Sequence, residues 1–346
     1  MFAPSVLAKS HKAQARGGNM RSSLVAAIVL WAVWAPGVRA ERHFSFAYDQ
    51  PKSTGFGVAA DMFGATLERL SHGQLLIDQF PGGQLGQEPQ ALQKIRTGDI
   101  DFMISSTANA ATLSPQAGVM SLHYLFRSED HMLKALAEPA ISNTFRTMFS
   151  ETVTGVRVLG LATLGFRYMY GKKELHRVED MRGLKVRVQA TATEDAAFPA
   201  YGAQTVHMPF GSVYTSLQTG VVDAAENGVN VYAANKHYEV APIMSMTMHE
   251  ANNSLVTVSD KVWTSLTEEE RGWVQEAADD VARNQPARAL ELDHQSQARL
   301  TKLGVKFVTD VDVSGFIAAA TPLQDGAAQA LGPYAVKLLT LIRGVR

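Results

Sequence analysis

The sequence predicts an α/β protein of two lobes, and three observations carry this prediction. A strand–helix–strand unit typical of α/β folds lies near the start of the chain, over residues 43–80. A junction in which Thr-Gly ends a helix and a strand follows occurs twice, at Gly98 and at Gly220. A helical pattern over residues 267–303 would extend over about 50 Å, which is longer than one lobe is wide.

Residues 1–40 are predicted to be a cleavable secretory signal. They hold five Lys or Arg and no Asp or Glu, and Leu24–Trp34 is an apolar run too short to span a bilayer with ease. Small residues precede Glu41, as they do at signal cleavage sites. Translation from Met20 would give a signal of ordinary length. An uncleaved N-terminal membrane anchor is the alternative.

The composition after residue 40 excludes several function classes. The remaining 27 Lys and Arg stand against 33 Asp and Glu, and this net charge of −6 argues against nucleic acid as a partner. There are no cysteines, so thiol chemistry and thiolate metal sites are impossible. Since no other segment is long and apolar enough to cross a membrane, we expect an exported, soluble product.

The first lobe is predicted to alternate strands and helices. A strand at His43–Tyr48, a helix over 56–70 and a strand at Gln74–Phe80 are followed by a helix at Glu88–Arg96 and a strand at Asp99–Ser105. The helices show apolar residues at helical spacing, and the strands are short apolar runs. Such alternation is typical of an α/β fold with a parallel sheet.

The same region contains a weak dinucleotide-binding pattern. Gly55–Ala60 matches G-x-G-x-x-A, and Asp78 lies in the next strand about twenty residues later. The turn before the pattern is long, whereas a dinucleotide-binding turn is tight, and an exported protein meets little free NAD(P). An exported NAD(P)-dependent oxidoreductase is therefore an alternative function.

The repeated junction favours two related lobes. The glycines of the two copies are 122 residues apart, which is too long for a solenoid repeat. In both copies an amphipathic helix ends at Thr-Gly, and an apolar residue followed by Asp101 or Asp223 opens the next strand.

The rest of the chain is assigned by the same patterns. The capping box Thr267–Glu270 begins the long helix, Gly304 ends it, and Pro286 is expected to kink it. The other predicted elements are helices at Glu129–Phe149, Ala192–Tyr201 and Ser212–Thr219, strands at Val153–Leu161, Gly165–Tyr170, Leu184–Val188, Val221–Ala225 and Gly304–Val311, and C-terminal helices.

The strand Leu184–Val188 supplies the first candidate binding residue. Apolar and cationic residues alternate along it, so one face packs and the other presents Lys185 and Arg187. The planar guanidinium of Arg187 can hold a carboxylate through two parallel hydrogen bonds. Taken alone, the pattern favours a solvated strand face.

Polar residues near other predicted strand ends extend the candidate site. Ser105–Asn109 follow the carboxyl end of a strand, where open α/β sheets bind ligands. Asn227 also follows a strand and offers both a donor and an acceptor. Arg167 lies among aromatic residues, where it either contacts an anion, stacks on Tyr168 or Tyr170, or is solvated.

The sequence shows no pattern of catalysis or of metal binding. The ten histidines form no H-x-x-x-H or H-x-H cluster, so His207 and His249-Glu250 are interpreted as lone and structural. No G-x-S-x-G elbow or phosphate-binding loop occurs, and no pair of carboxylates is marked as acid and base. We expect no enzymatic activity, cofactor or metal.

Several motifs in order resemble a known family, the solute-binding proteins of tripartite ATP-independent periplasmic (TRAP) transporters. The likeness covers nearly all of residues 43–310. It rests on FPGGQLGQEPQALQKIRTGDIDF, LFRSEDHM, GFRYMYGKKEL, DMRGLKVRVQ, MPFGSVYTSLQTGVVDAAEN and HYEV.

The resemblance implies a periplasmic receptor with two α/β lobes, a hinge and a long helix across both lobes. A small organic acid would pair with Arg187 and pass to the small and large membrane subunits of a permease. Lobe I would comprise 41–164 with about 253–285, lobe II would comprise 165–252, and 286–346 would pack across both. The implied ligand-binding residues are Arg187, Arg167, Asn227 and Phe210, with Asp49, Gln50, Ser106 and Asn109 in the first lobe.

The chain also departs from the family pattern. His123 stands where the family usually has proline, Ser212 replaces a usual glutamate, and Ala224 replaces a usual glycine. The motifs GFRYMYGKK and LFRSEDHM are similar to those of family members that bind sugar acids such as uronates. Dicarboxylates and other small carboxylates are alternative ligands. A periplasmic sensor domain with a signalling partner is a further alternative, and a monomer is expected.

Overall fold

The structure, a computed structural model, describes residues 40–346. The predicted secretory segment, apart from Ala40, lies outside the described residues. Within the described range, one mixed sheet holds nine strands. These are β1 Arg42–Ala47, β2 Leu75–Phe80, β3 Phe102–Ser106, β4 Val156–Gly171, β5 Lys185–Val188, β6 Gln204–His207, β7 Ala224–Asn227, β8 Ile243–Ser259 and β9 Lys306–Val308.

Helices surround this sheet. They are α1 Gly55–Leu70, α2 Glu88–Thr97, α3 Thr107–Ala110, α4 Glu129–Ala137, α5 Pro139–Thr152, α6 Ala192–Ala200, α7 Val213–Thr219, α8 Val229–Ala234, α9 Asp260–Ser265, α10 Glu268–Lys302, α11 Ser314–Leu331 and α12 Pro333–Gly344. Over residues 40–346, none of the helices has the length and apolarity needed to cross a membrane.

Two long antiparallel strands, β4 and β8, join the two halves of the sheet. The strand order is β2-β1-β3-β8-β4-β7-β5-β6, with β9 paired to the start of β8. The sheet is parallel among β1, β2 and β3 and among β5, β6 and β7, as predicted for α/β lobes. In contrast, β4 and β8 run antiparallel to each other, β8 runs antiparallel to β3 and β4 runs antiparallel to β7. The prediction of two separate strands at Val153–Leu161 and Gly165–Tyr170 is wrong, since both belong to β4.

The register between β4 and β8 shifts where the two halves meet. Thr163 pairs with Asn253, but the next pairing joins Phe166 to Ala251. Gly165 lies in this bulge with φ of 85°, a left-handed conformation that glycine adopts without strain. The bulge coincides with the boundary predicted between the lobes, whose hinge motion stays a prediction.

Each half has its own apolar core. In the first half, Phe63 of α1 packs on Phe46 and Phe102, with ring centroids 5.4 and 5.1 Å apart. In the second half, Val186 and Phe198 belong to a cluster that also includes Phe316 of α11.

The repeated junction has the same geometry in both halves. Gly98 ends α2 and Gly220 ends α7, both in the left-handed conformation with φ of 78° and 76°. The Asp101 carboxylate accepts a hydrogen bond from the backbone N–H of Ser45 in β1, at 2.8 Å. The Asp223 carboxylate likewise accepts from the backbone N–H of Lys185 in β5, at 2.9 Å. Each aspartate therefore anchors the neighbouring parallel strand.

The predicted helix Glu129–Phe149 is wrong as a single element. It consists of α4 and α5, which meet at Glu138 and Pro139. A residue before proline is sterically driven out of the helical conformation, and Glu138 accordingly has ψ of 115°. The Glu138 carboxylate then accepts a hydrogen bond from the N–H of Ala140 and begins α5.

The long helix α10 begins at the predicted capping box, in which Thr267 and Glu270 exchange hydrogen bonds. Its 35 residues continue through Pro286 and contact α1, β4 and α8. The buried Gln285 side chain bonds the backbone of Thr163 in β4 and of Gly55 in α1. Because α10 contacts elements of both halves, it spans the two lobes as predicted.

The glycines of the G-x-G-x-x-A pattern serve chain packing. A Cβ on Gly57 would lie 1.9 Å from the Lys52 carbonyl oxygen, and one on Gly55 would lie 2.9 Å from Leu164. Asp78 lies on β2, where its carboxylate bonds His43 at 3.1 Å. The close packing around Gly55 and Gly57 thus accounts for both glycines without a bound nucleotide.

Candidate functional site

A cavity lies where the two halves face each other. Strands β3, β5 and β7 reach it at their carboxyl ends, where α/β sheets bind ligands, and the segment after β1 completes it. All eight residues predicted to bind ligand line this cavity: Asp49, Gln50, Ser106, Asn109, Arg167, Arg187, Phe210 and Asn227. Their role in binding stays a prediction.

Arg187 of β5 is a buried cation without an acidic partner. Its side chain donates two hydrogen bonds to the Met208 carbonyl oxygen, at 2.9 and 3.2 Å. Its guanidinium carbon lies 5.6 Å from the ring centroid of Phe210. Among residues 40–346 it forms no ion pair, although Arg187 is only 4% exposed. Burial lowers the pKa of Arg187, so an anion in the cavity would relieve an unfavourable charge.

Arg167 of β4 is in the opposite position, because it is paired within the protein. Its guanidinium forms two side-chain hydrogen bonds with the Glu226 carboxylate and lies 3.3 Å from Glu250. The expectation of solvation or of stacking on a tyrosine is therefore wrong. Burial disfavours the ionised form of Glu226, but Arg167 and His249 together outweigh burial and lower the pKa of Glu226 to about 2. Arg167 thus lines the cavity with its positive charge already balanced by Glu226.

Asn227 ends β7, and of its side-chain amide only the NH₂ group is available to a ligand. Its Oδ1 accepts hydrogen bonds from Asn252 and from the Gly228 N–H, both at 2.9 Å. The prediction that it offers an acceptor is thus wrong, since both lone pairs are used. Its Nδ2 has no partner within the described part of the chain and is available to donate.

Glu88 organises the first-half wall, and the sequence analysis missed it. Its carboxylate accepts from the Ser106 hydroxyl at 2.7 Å and from the Asn109 amide at 2.6 Å. It also accepts from the Ser106 N–H at 3.1 Å. Glu88 looks like an ordinary acidic residue at the start of a helix, so no sequence signal separates it.

Asp49 and Gln50 follow β1 and are both buried. Gln50 donates to the Asp49 carboxylate at 3.1 Å and accepts from Asn235 at 3.1 Å. Burial, and then the nearby Glu88 carboxylate, raise the pKa of Asp49 well above its usual range. A protonated Asp49 can donate a hydrogen bond as well as accept one.

Two hydrogen bonds join the halves, one of them between residues that line the cavity. Gln189, after β5, donates to the Ser106 hydroxyl at 3.0 Å. Gln87, before α2, accepts from the Gly211 N–H at 2.9 Å. The Oε1 atom of Gln189 is buried and lacks a hydrogen-bond partner among the described residues. The sequence analysis missed both glutamines, because only the approach of the two halves gives them a partner.

The histidines interpreted as structural differ from one another. His207 is partly exposed and bonds Asp195 at 2.8 Å. His249 is buried beside His123, with ring centroids 5.0 Å apart. The interpretation of His249 as a lone histidine is therefore wrong, because the fold brings together residues 126 positions apart in the sequence.

Known proteins are similar to this chain in sequence and in fold. A solute-binding protein of Chromohalobacter salexigens is 31% identical over 278 residues, covering 80% of this chain and 81% of the relative. The crystal structure of a TRAP periplasmic solute-binding protein from Xanthobacter autotrophicus Py2, with bound β-D-galacturonate, matches at a TM-score of 0.82 and 28% identity. It covers 88% of this chain and all of that one.

A second solved structure, from Chromohalobacter salexigens with bound D-glucuronate, matches at a TM-score of 0.81 and 29% identity, over 88% of this chain and all of that one. The family model described as bacterial extracellular solute-binding protein, family 7, matches residues 46–330. Proteins of this family are periplasmic receptors that bind small acids and work with a TRAP permease. The chain belongs to this family and is an acid-binding receptor of TRAP transport.

Proposed function

We propose that this protein captures a uronate and delivers it to the membrane subunits of a TRAP permease. The observation that carries the proposal is Arg187, a buried guanidinium that lies at the cavity and has no carboxylate partner among the described residues. Two similar solved structures contain galacturonate and glucuronate, which are six-carbon sugars with one carboxylate.

The ligand carboxylate pairs with Arg187. A guanidinium and a carboxylate match in geometry, and their hydrogen bonds are stronger than those between neutral groups. A neutral sugar or an amide would leave the Arg187 charge buried and unpaired, which is unfavourable. Arg187 therefore selects for an acid, while Phe210 holds its guanidinium in place.

The sugar hydroxyls meet polar groups that still have bonding capacity. The Asn227 amide can donate, and the buried Oε1 of Gln189 can accept. Asp49 can exchange hydrogen bonds with hydroxyl groups on the first-half side. Several such groups around one cation suit a polyhydroxylated acid better than an apolar carboxylate.

A thermal-shift screen of residues 41–346 tests this proposal. The ligands are D-galacturonate, D-glucuronate, galacturonamide, D-galactose, C4-dicarboxylates and NAD(P). A ligand at about a hundred times its dissociation constant adds roughly 2.7 kcal/mol of stability, so binding gives a clear shift. We expect a shift with a uronate and none with the amide or the neutral sugar.

The variant Arg187→Ala should bind the uronate at least about a hundredfold more weakly, because two charge-assisted hydrogen bonds of roughly 1.5 kcal/mol or more each are lost. Arg177→Ala is the matched control, since Arg177 is exposed. Binding that survives in Arg187→Ala would contradict the proposed role. A response to dicarboxylates alone would refute the uronate, and a response to NAD(P) alone would favour the oxidoreductase.

The same proposal includes export and release. The segment 1–40 acts as the secretory signal, and the mature receptor is a monomer without enzymatic activity. Its lobes, 41–164 with 253–285 and 165–252, close over the ligand about the β4–β8 bulge. The small and large permease subunits then receive the closed form.

Two measurements test export and oligomeric state. N-terminal sequencing of the exported protein tests the cleavage site. Light scattering tests whether the protein is a monomer.

A further inference from the structure

A cluster of ionisable side chains lies in the interior behind the cavity wall formed by Arg167. Each of its members is at most 3% exposed: His123, Arg167, Glu194, Glu226, His249 and Glu250. Of these six, the ligand cavity uses only Arg167. Glu226 balances the charge of Arg167, so four of the buried groups, His123, Glu194, His249 and Glu250, have no assigned role in the capture of an organic acid.

The cluster is unbalanced in charge. With both histidines neutral and all three carboxylates ionised, the cluster would carry two excess negative charges, and burial accordingly raises the pKa of Glu194 to about 8 and that of Glu250 well above its usual range. Glu226 takes the carboxylate hydrogen bonds of Arg167, and one buried oxygen each of Glu194 and Glu250 lacks a hydrogen-bond partner among the described residues, although Glu250 lies 3.3 Å from Arg167. Uncompensated charge is unfavourable in a protein interior, and one divalent cation would balance this cluster.

The two histidines form matching hydrogen bonds, each through its Nδ1 atom to a hydroxyl group. Nδ1 of His123 bonds the Tyr201 hydroxyl at 2.9 Å, and Nδ1 of His249 bonds the Thr247 hydroxyl at 2.8 Å. With Nδ1–H as donor in both, each ring presents the lone pair of Nε2. A hydrogen bond that fixes one ring nitrogen while the other faces a cation is usual for metal-binding histidines.

The Nε2 atoms face carboxylates across short gaps. His123 Nε2 is 3.3 Å from Glu194 Oε2. His249 Nε2 lacks a hydrogen-bond partner among residues 40–346, and Glu226 Oε2 is 3.7 Å away.

We propose that His123, His249 and Glu250 bind one divalent transition-metal ion of the Zn²⁺ type, with Glu194 as the fourth ligand. Donor atoms of the first three residues lie within 4.8 Å of one another. Tetrahedral bonds of about 2.0–2.1 Å place neighbouring donors roughly 3.3 Å apart, so modest side-chain rotation closes the site. Imidazole and carboxylate together suit Zn²⁺ better than Ca²⁺ or Mg²⁺.

The ion would join three separate parts of the chain. His123 lies in the segment before α4, Glu194 lies in α6, and His249 and Glu250 lie in β8. A metal here stabilises the fold behind the ligand cavity and neutralises the charge next to Arg167. The proposal is independent of the uronate, because none of the four ligands lines the cavity.

Metal content of the whole mature protein tests the proposal. Residues 41–346 are refolded with ZnSO₄, dialysed and analysed by mass spectrometry for zinc, beside His123→Asn, Glu194→Gln and the control His294→Asn. His294 is exposed and outside the cluster. We expect one zinc per chain in the wild type and the control, a higher Tm with zinc, and loss of zinc in the cluster variants.

Measurements on the wild type keep the test valid if a variant fails to fold. Zinc X-ray absorption should show two imidazole ligands, and cobalt-substituted protein should show the visible bands of tetrahedral Co²⁺. Wild-type protein with no more zinc than His123→Asn would overturn the proposal and indicate that protons balance the cluster. Bound zinc without imidazole ligands would overturn it as well.

Discussion

The two arginines at the cavity show how partners decide what a side chain does. Arg167 and Arg187 both lie on strands, and both are buried. Arg167 is held by Glu226, whereas Arg187 bonds only the Met208 carbonyl oxygen and an aromatic face. The arginine that lacks an internal anion is the one that can bind an external anion.

The Arg167–Glu226 pair predicts a large stability effect. Arg167→Gln should lower the free energy of unfolding by at least about 3 kcal/mol, because removal of the guanidinium leaves the buried Glu226 carboxylate without its cationic partner. Urea denaturation at pH 7 measures this change. Glu276→Gln is the control, since its pair with Arg283 is exposed and should contribute less than about 1 kcal/mol. Equal effects of the two variants would contradict the prediction.

At the scale of elements, the meeting of β4 and β8 matters most. The two strands run through both halves, and their register shifts at Thr163 and Phe166. Gly165 allows the bulge, because its φ of 85° and the adjacent Asp293 carboxylate leave no room for a side chain. A distortion at this point changes how the halves are joined.

Gly165→Ala is therefore expected to destabilise the protein beyond the backbone strain alone. A left-handed alanine costs about 1–2 kcal/mol, and the new Cβ would also lie 2.4 Å from Asp293 Oδ2. Gly183→Ala is the matched control, since Gly183 has φ of 76° but no neighbouring atom within 4 Å. Urea denaturation should show a larger loss for Gly165→Ala. Equal losses would show that the contact with Asp293 is readily relieved.

At the scale of the whole molecule, stability should depend on the protonation of His237. Its Nδ1 atom shares a hydrogen bond with the Tyr170 hydroxyl at 2.8 Å. Its ring also packs against Phe210. Burial, and then Arg187, lower the pKa of His237 to about 4. Tyr214 is the other ionisable ring beside it.

The sign of the pH effect follows from the lowered pKa. The neutral form of His237 is favoured in the fold, so its contribution is present above about pH 6.5 and is lost as the pH falls towards 4. The loss amounts to about 3 kcal/mol. Urea denaturation at pH 7 and pH 4.5 should show a smaller loss in His237→Gln than in the wild type. An identical pH dependence in both proteins would contradict this assignment.

Local patterns predicted most of the individual elements of the fold. The stops at Gly98 and Gly220 and the capping box at Thr267 depend on residues close in sequence, and the structure has all three. The unbroken strand β4 and the unpredicted strand β8 were harder, because both are buried along nearly their whole length. Burial on both faces removes the alternation from which strands are predicted.

The sequence by itself determined the two α/β halves, the long helix and the family, since these depend on local patterns and ordered motifs. It also indicated eight of the thirteen residues that line the cavity. Only the tertiary structure decided that Arg167 is neutralised, that Arg187 is not, and that His123 meets His249. The physical reason is that the charge and reactivity of a buried group depend on neighbours that are distant in sequence.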